Sequence, residues 1–170
     1  MMHSPGSKVG KIAHLSLLLA LALGLSLVES TFFPPLGVPG AKWGLANIVS
    51  LLALLWLGLR EAALIVALRV VLTGIFSGTF LGLGFWLSAA GAAVALLVMA
   101  ALLKAPGFGL LGISIAGAAG HNLAQLGVYA VVVNSAGVFY LLPPLLAVSL
   151  LTGSLTGIIV NKLSQYKSKE

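Results

Sequence analysis

Between Ile12 and Val160 the chain is almost without charge, interrupted only by Glu29, Lys42, Arg60, Glu61, Arg69 and Lys104. Six apolar runs fill that stretch, each near the ~20 residues that carry an α-helix across the hydrocarbon core of a bilayer. Hydrophobic residues make up 60% of the chain and charged ones 7%. A soluble domain of 170 residues has too little interior to hide that much apolar surface, so lipid must be the main solvent. A membrane barrel would show short segments of alternating polarity, which these runs do not. The expectation is an all-α polytopic membrane protein, one domain over residues 1–170. Its six transmembrane helices are placed at about 12–28, 43–59, 61–81, 85–103, 110–133 and 139–160.

The first run, behind Lys8 and Lys11, superficially resembles a signal peptide. It is longer than the usual apolar region and ends Val28-Glu29-Ser30-Thr31 without a small-residue cleavage pattern, so it reads as a retained helix. With six spans both termini share a side. That side collects Lys8, Lys11, Arg60, Lys104, Lys162, Lys167 and Lys169, seven of the nine basic residues. The positive-inside rule makes it the cytoplasm and the protein a multi-pass component of the cell membrane. Scattered between apolar runs, the basic residues do not form a nucleic-acid-binding face.

Pro34 to Asn47 holds three of the seven prolines and three glycines and cannot continue a helix. It reads as a shaped cap at the outer surface, feeding a helix whose first turn carries Lys42, Trp43 and Asn47. Lys42 is either an interfacial lysine snorkelling beside Trp43 or a ligand contact at a helix N-terminus, which favours an anion. Asn47, one turn deeper, would extend such a site inward, and Glu29 is the nearest candidate partner of Lys42. Arg60-Glu61 reads as a cytoplasmic interfacial pair.

Deep in the spans the polar residues are few. Arg69 lies roughly 13 Å, and His121 roughly 16 Å, from the cytoplasmic side at 1.5 Å per residue. An arginine near the midplane must face the protein interior or a wet cavity. His121 and Gln125 are spaced i, i+4, and Asn122 and Gln125 i, i+3, so they share a helical face. Singly, Asn122 or Gln125 reads as hydrogen-bonding glue between helices. Together with His121 and Arg69 at matching depth, they read as the lining of a ligand cavity. Small-residue rows at Gly74/Gly78/Gly82 and Gly153/Gly157 read as close helix packing, and the Ala20/Gly24 row also as a subunit-docking face.

Catalysis finds little support. There is no cysteine and no aspartate, and the glutamates are Glu29, Glu61 and Glu170 alone. Chemistry on diphosphates generally needs carboxylates holding magnesium. No phosphate-binding loop of the Walker type occurs either, so no cofactor, no metal and no enzymatic activity are expected.

The run Pro39-Gly40-Ala41-Lys42-Trp43-Gly44-Leu45-Ala46-Asn47, with Leu68-Arg69-Val70 and Gly117 to Gln125 (GAAGHNLAQ), resembles the Gx transporter family. That family is often labelled heptaprenyl diphosphate synthase component I, and the resemblance covers about residues 12 to 160. It is similar in size and helix count to the substrate-binding S components of energy-coupling factor vitamin transporters. This implies an S-component-like bundle of six helices that holds a small ligand under the loop joining the first two. It also implies small residues of the first helix, here Ala20 and Gly24, against a membrane coupling subunit. The expected function is therefore the substrate-binding subunit of an energised uptake system for a polar or anionic small molecule, vitamin-like or an isoprenoid or quinone precursor. Coupling subunit and ATPases would be other chains. The alternative is a non-catalytic membrane scaffold for prenyl diphosphate or quinone synthesis, or for flavin-dependent electron transfer. The expected ligand-binding residues are Lys42, Asn47, Arg69, His121, Asn122 and Gln125.

Overall fold

The computed structural model describes residues 8–32 and 43–167. Those residues are all-α: α1 (Lys8–Phe32), α2 (Asn47–Trp56), α3 (Leu59–Phe76), α4 (Leu83–Lys104), α5 (Leu110–Val132) and α6 (Leu142–Lys167). A short 3-10 helix over Ala136–Leu141 leads into α6. Pro143 and Pro144 fall in the first turn of α6, where a missing N–H costs nothing. Gly58 opens α3 at φ +94°, a left-handed value only glycine adopts freely, which lets α3 follow α2 almost at once.

The shortest helix is the hub. α2 touches all five other α-helices, and Asn47 through Leu54 are buried without a break. A helix with no polar face belongs inside a bundle, and Ile48, Val49, Leu51 and Leu52 form the centre of the apolar core. α4, α5 and α6 pack as successive antiparallel neighbours. Gly117 of α5 lies against Met99 of α4, Gly153 of α6 against Ile115, and Gly157 against Leu111. A Cβ on Gly153 would sit 2.5 Å from the Ile115 Cα. The Gly153/Gly157 row therefore packs helices within the chain, as its spacing suggests.

Lys11 pairs with Glu61, which sets the starts of α1 and α3 side by side. The interfacial partner of Glu61 is thus on α1, not the adjacent Arg60. Following the antiparallel order from there, Lys11, Arg60, Lys104 and Lys162 gather at one end of the bundle. The end of α1, the start of α2 and the α3–α4 and α5–α6 turns lie at the other.

Among the described residues, three helical segments are long and apolar enough to cross a membrane: Val9–Phe32, Leu83–Lys104 and Ala136–Tyr166. Six were expected. α3 carries Arg60, Glu61 and Arg69, and α5 carries His121, Asn122 and Gln125, which lowers the apolarity of both. The ten residues of α2 reach only about 15 Å. The span expected at 43–59 begins instead with a turn through Trp43–Ala46. α3 ends at Phe76 rather than near Leu81, because Gly78 (φ +68°) and Leu81 (φ 58°) take left-handed conformations. The Gly74/Gly78/Gly82 spacing thus forms no helical row: Gly74 packs on Phe85 and Phe80, Gly78 sits in the turn, and Gly82 precedes α4.

Candidate functional site

Four of the expected ligand residues, Asn47, Arg69, His121 and Gln125, are 1–5% exposed and connect through one buried layer near the start of α2. From α1 come Ser26 and Glu29, three residues apart and therefore on one face. Arg69 of α3 donates from Nη1 to Ser26 Oγ at 3.1 Å. Glu29 is close enough to act electrostatically on that guanidinium. Its carboxylate accepts from the Gly44 N–H at 2.6 Å and the Leu45 N–H at 3.2 Å. In the unwound backbone ahead of α2, Gly44 is buried and Leu45 half-buried, and buried N–H groups need acceptors. Glu29 supplies two.

Gly44 carries the layer onward. With φ +86° it tolerates no ordinary side chain, and a Cβ there would lie 3.0 Å from Asn47 Nδ2 and 3.7 Å from His121 Cδ2. Across from this, Gly91 of α4 leaves the room that His121 and Gln125 fill. A Cβ on Gly91 would come within 2.9 Å of His121 Nε2 and 3.0 Å of Gln125 Cγ. Thr73, one turn beyond Arg69, and Ser88, one turn before Gly91, are buried on the same two helices.

Hydrogen-bonding capacity in this layer exceeds what the described residues use. Both amide atoms of Asn47 and of Gln125 lack a partner among them, as do Nε and Nη2 of Arg69 and the hydroxyls of Thr73 and Ser88. Buried polar atoms are ordinarily paired, so such a concentration is what a polar ligand or ordered water would satisfy.

Asn122 points elsewhere. Its Nδ2 donates to the Leu145 carbonyl at 3.1 Å and to Ser149 Oγ at 2.9 Å, binding α5 to α6. The polar face expected of α5 is therefore divided, with His121 and Gln125 toward α4 and Asn122 toward α6. Lys42 and the Pro34–Ala41 cap lie outside the described residues. Ala20 and Gly24 are exposed, and a Cβ on Gly24 would meet nothing within 4 Å. The α3–α4 cleft, about 420 Å³ and lined by Val66, Val70, Phe85 and Leu96 among others, is apolar and contributes no polar group.

Ser26, Thr73, Ser88 and Gly91 were not singled out from the sequence. Each has a local signal: Ser26 precedes Glu29 by three residues, Thr73 follows Arg69 by four, and Ser88 precedes Gly91 by three. A polar or small residue one turn from another in an apolar helix shares its face.

Fold and site together define a helical membrane-type protein with a polar layer buried at its hub. Residues 18–163 match the family model described as heptaprenyl diphosphate synthase component I, and the chain belongs to that family. No curated protein and no solved structure matches it. Membership in a family named for one synthase component agrees with the reading of the chain as itself no enzyme.

Proposed function

We propose that this chain is the ligand-capture subunit of an energised small-molecule uptake system, with the layer around the α2 N-terminus as its binding site. The observation that carries the reading is the convergence of Asn47, Arg69 and Gln125, from three helices, on one buried layer with unpaired polar atoms. Interhelical glue would use its donors, as Asn122 uses Nδ2 while its Oδ1 stays unpaired, whereas neither amide atom of Asn47 or Gln125 is used among the described residues. Non-helical backbone at membrane depth is tolerated where protein buries it or where it lines a cavity, and the Trp43–Ala46 turn fits that pattern. In this reading all six helices cross or re-enter the bilayer, the basic end faces the cytoplasm, and the ligand enters from outside under the Pro34–Ala41 segment with Lys42 at its mouth. The exposed Ala20/Gly24 face is the docking surface for a membrane coupling subunit, and ATPases come from other chains.

The family name favours a second reading, a non-catalytic membrane partner of the other components of a prenyl diphosphate synthase. Gentle copurification followed by native mass spectrometry separates the two. Uptake requires a retained small molecule, or coupling and ATPase subunits. Recovery of a soluble prenyl synthase, with no small molecule retained, establishes the scaffold instead.

A further inference from the structure

Among its described residues the polar layer carries one formal charge of each sign, Lys42 lying outside them. With His121 counted neutral, its formal charges among the described residues are those of Glu29 and Arg69, 3% and 5% exposed. A free anion entering this layer would seek two features: the N–H groups at the α2 N-terminus, and the unpaired Nε and Nη2 of Arg69. Glu29 already hydrogen-bonds the first and acts electrostatically on the second without pairing its Nε or Nη2. Its two oxygens take the Gly44 and Leu45 N–H groups, and its charge faces Arg69. A second anion would lie beside a buried carboxylate and be repelled at low dielectric.

What remains for a ligand is hydrogen-bonding capacity without net charge. Asn47 and Gln125 each offer a carbonyl acceptor beside an amide donor, Thr73 and Ser88 offer hydroxyls, and Arg69 offers two further N–H edges. A primary amide pairs side by side with an edge that presents its own C=O and N–H. We infer that the site takes an uncharged polar molecule of the amide, ureide or ring-lactam class. Glu29 acts as its specificity residue, a tethered carboxylate standing where a free anion would otherwise bind. This rests on the ligand-capture reading and narrows its substrate class.

The test uses the purified full chain in lipid nanodiscs, with sodium acetate and inorganic phosphate as probes against chloride at equal ionic strength. Wild-type protein should show no saturable thermal shift with either anion. Glu29→Ala should melt lower, and acetate on the order of 50 mM should restore much of the loss by mass action. Adding Arg69→Gln to that variant should abolish the rescue. If Glu29→Ala does not fold, Glu29→Gln keeps an acceptor for the Gly44 N–H while removing the charge. It should gain an acetate response that the wild type lacks. Saturable stabilisation of the wild type by acetate or phosphate would overturn the proposal while leaving uptake of an anion intact. So would the absence of an anion response in every Glu29 variant. None of these readouts needs a native ligand or partner, so a failure of the uptake reading would show separately in copurification.

Discussion

Arg69 and Ser26 join α3 to α1 deep in the bundle, Nη1 to Oγ at 3.1 Å, and Glu29 stands one turn along α1 from that contact. The arginine is thus held in a polar seam rather than exposed to an apolar surround. Removing one member of a buried charge pair costs about 3–5 kcal/mol, because the other charge stays buried. Arg69→Gln should therefore lower stability by about that much. The Arg69→Gln/Glu29→Gln double variant should be less destabilised than the sum of its parts, a coupling that a thermodynamic cycle measures. Additive effects would mean the two charges do not sense each other.

The approach of Gly91 to His121 makes a second prediction. A methyl group 2.9 Å from the imidazole and 3.0 Å from Gln125 forces one of them to move. Gly91→Ala should cost about 1–3 kcal/mol as overpacking and lower the retention of any copurifying small molecule. His121→Ala removes the closer of the two clashes and should recover part of the stability but not the retention. Melting curves and native mass spectra of the single and double variants check both.

Two glycines of similar appearance in sequence should behave in opposite ways. A Cβ on Gly153 would lie 2.5 Å from the Ile115 Cα, so Gly153→Val should prevent α5 and α6 from packing and abolish expression of folded protein. A Cβ on Gly24 would meet nothing within 4 Å, so Gly24→Val should change stability by less than about 0.5 kcal/mol. If the Ala20/Gly24 face docks a coupling subunit, Gly24→Val should lose that subunit in copurification while the chain itself folds. Loss of folding in Gly24→Val would remove the basis for a docking role.

The helical class and the burial of Arg69 and His121 inside the bundle could be read from the sequence, because both follow from run length and from the cost of turning polar groups to lipid. α2 could not be delimited, because hydropathy does not distinguish its helical part, Asn47–Trp56, from the apolar turn before it. The end of α3 was hidden for a related reason: Gly78 suits a small-residue row and a left-handed turn equally well, and only the fold decides between them. Glu29 shows the deeper limit. Its partners are backbone N–H groups of Gly44 and Leu45, fifteen and sixteen residues away, and no residue type announces them. For the same reason the sequence could not separate Asn122, committed to Leu145 and Ser149, from its neighbours His121 and Gln125.

The gathering of Lys11, Arg60, Lys104 and Lys162 at one end gives the proposed orientation its test. Basic residues flanking apolar helices are retained on the cytoplasmic side. Ser135, in the exposed turn between α5 and α6, belongs to the opposite end, and Gln165, exposed near the end of α6, belongs to the basic one. The natural chain has no cysteine, so a single introduced thiol reports its own position without background. Ser135→Cys should react with a membrane-impermeant thiol reagent in intact cells, and Gln165→Cys only after permeabilisation. The reverse pattern would turn the protein over and put the Glu29–Gly44 layer on the cytoplasmic side, where it would be reached from within. Labelling of both in intact cells would mean an even number of crossings between them, and α6 would then be the element to re-examine, since it alone separates the two positions.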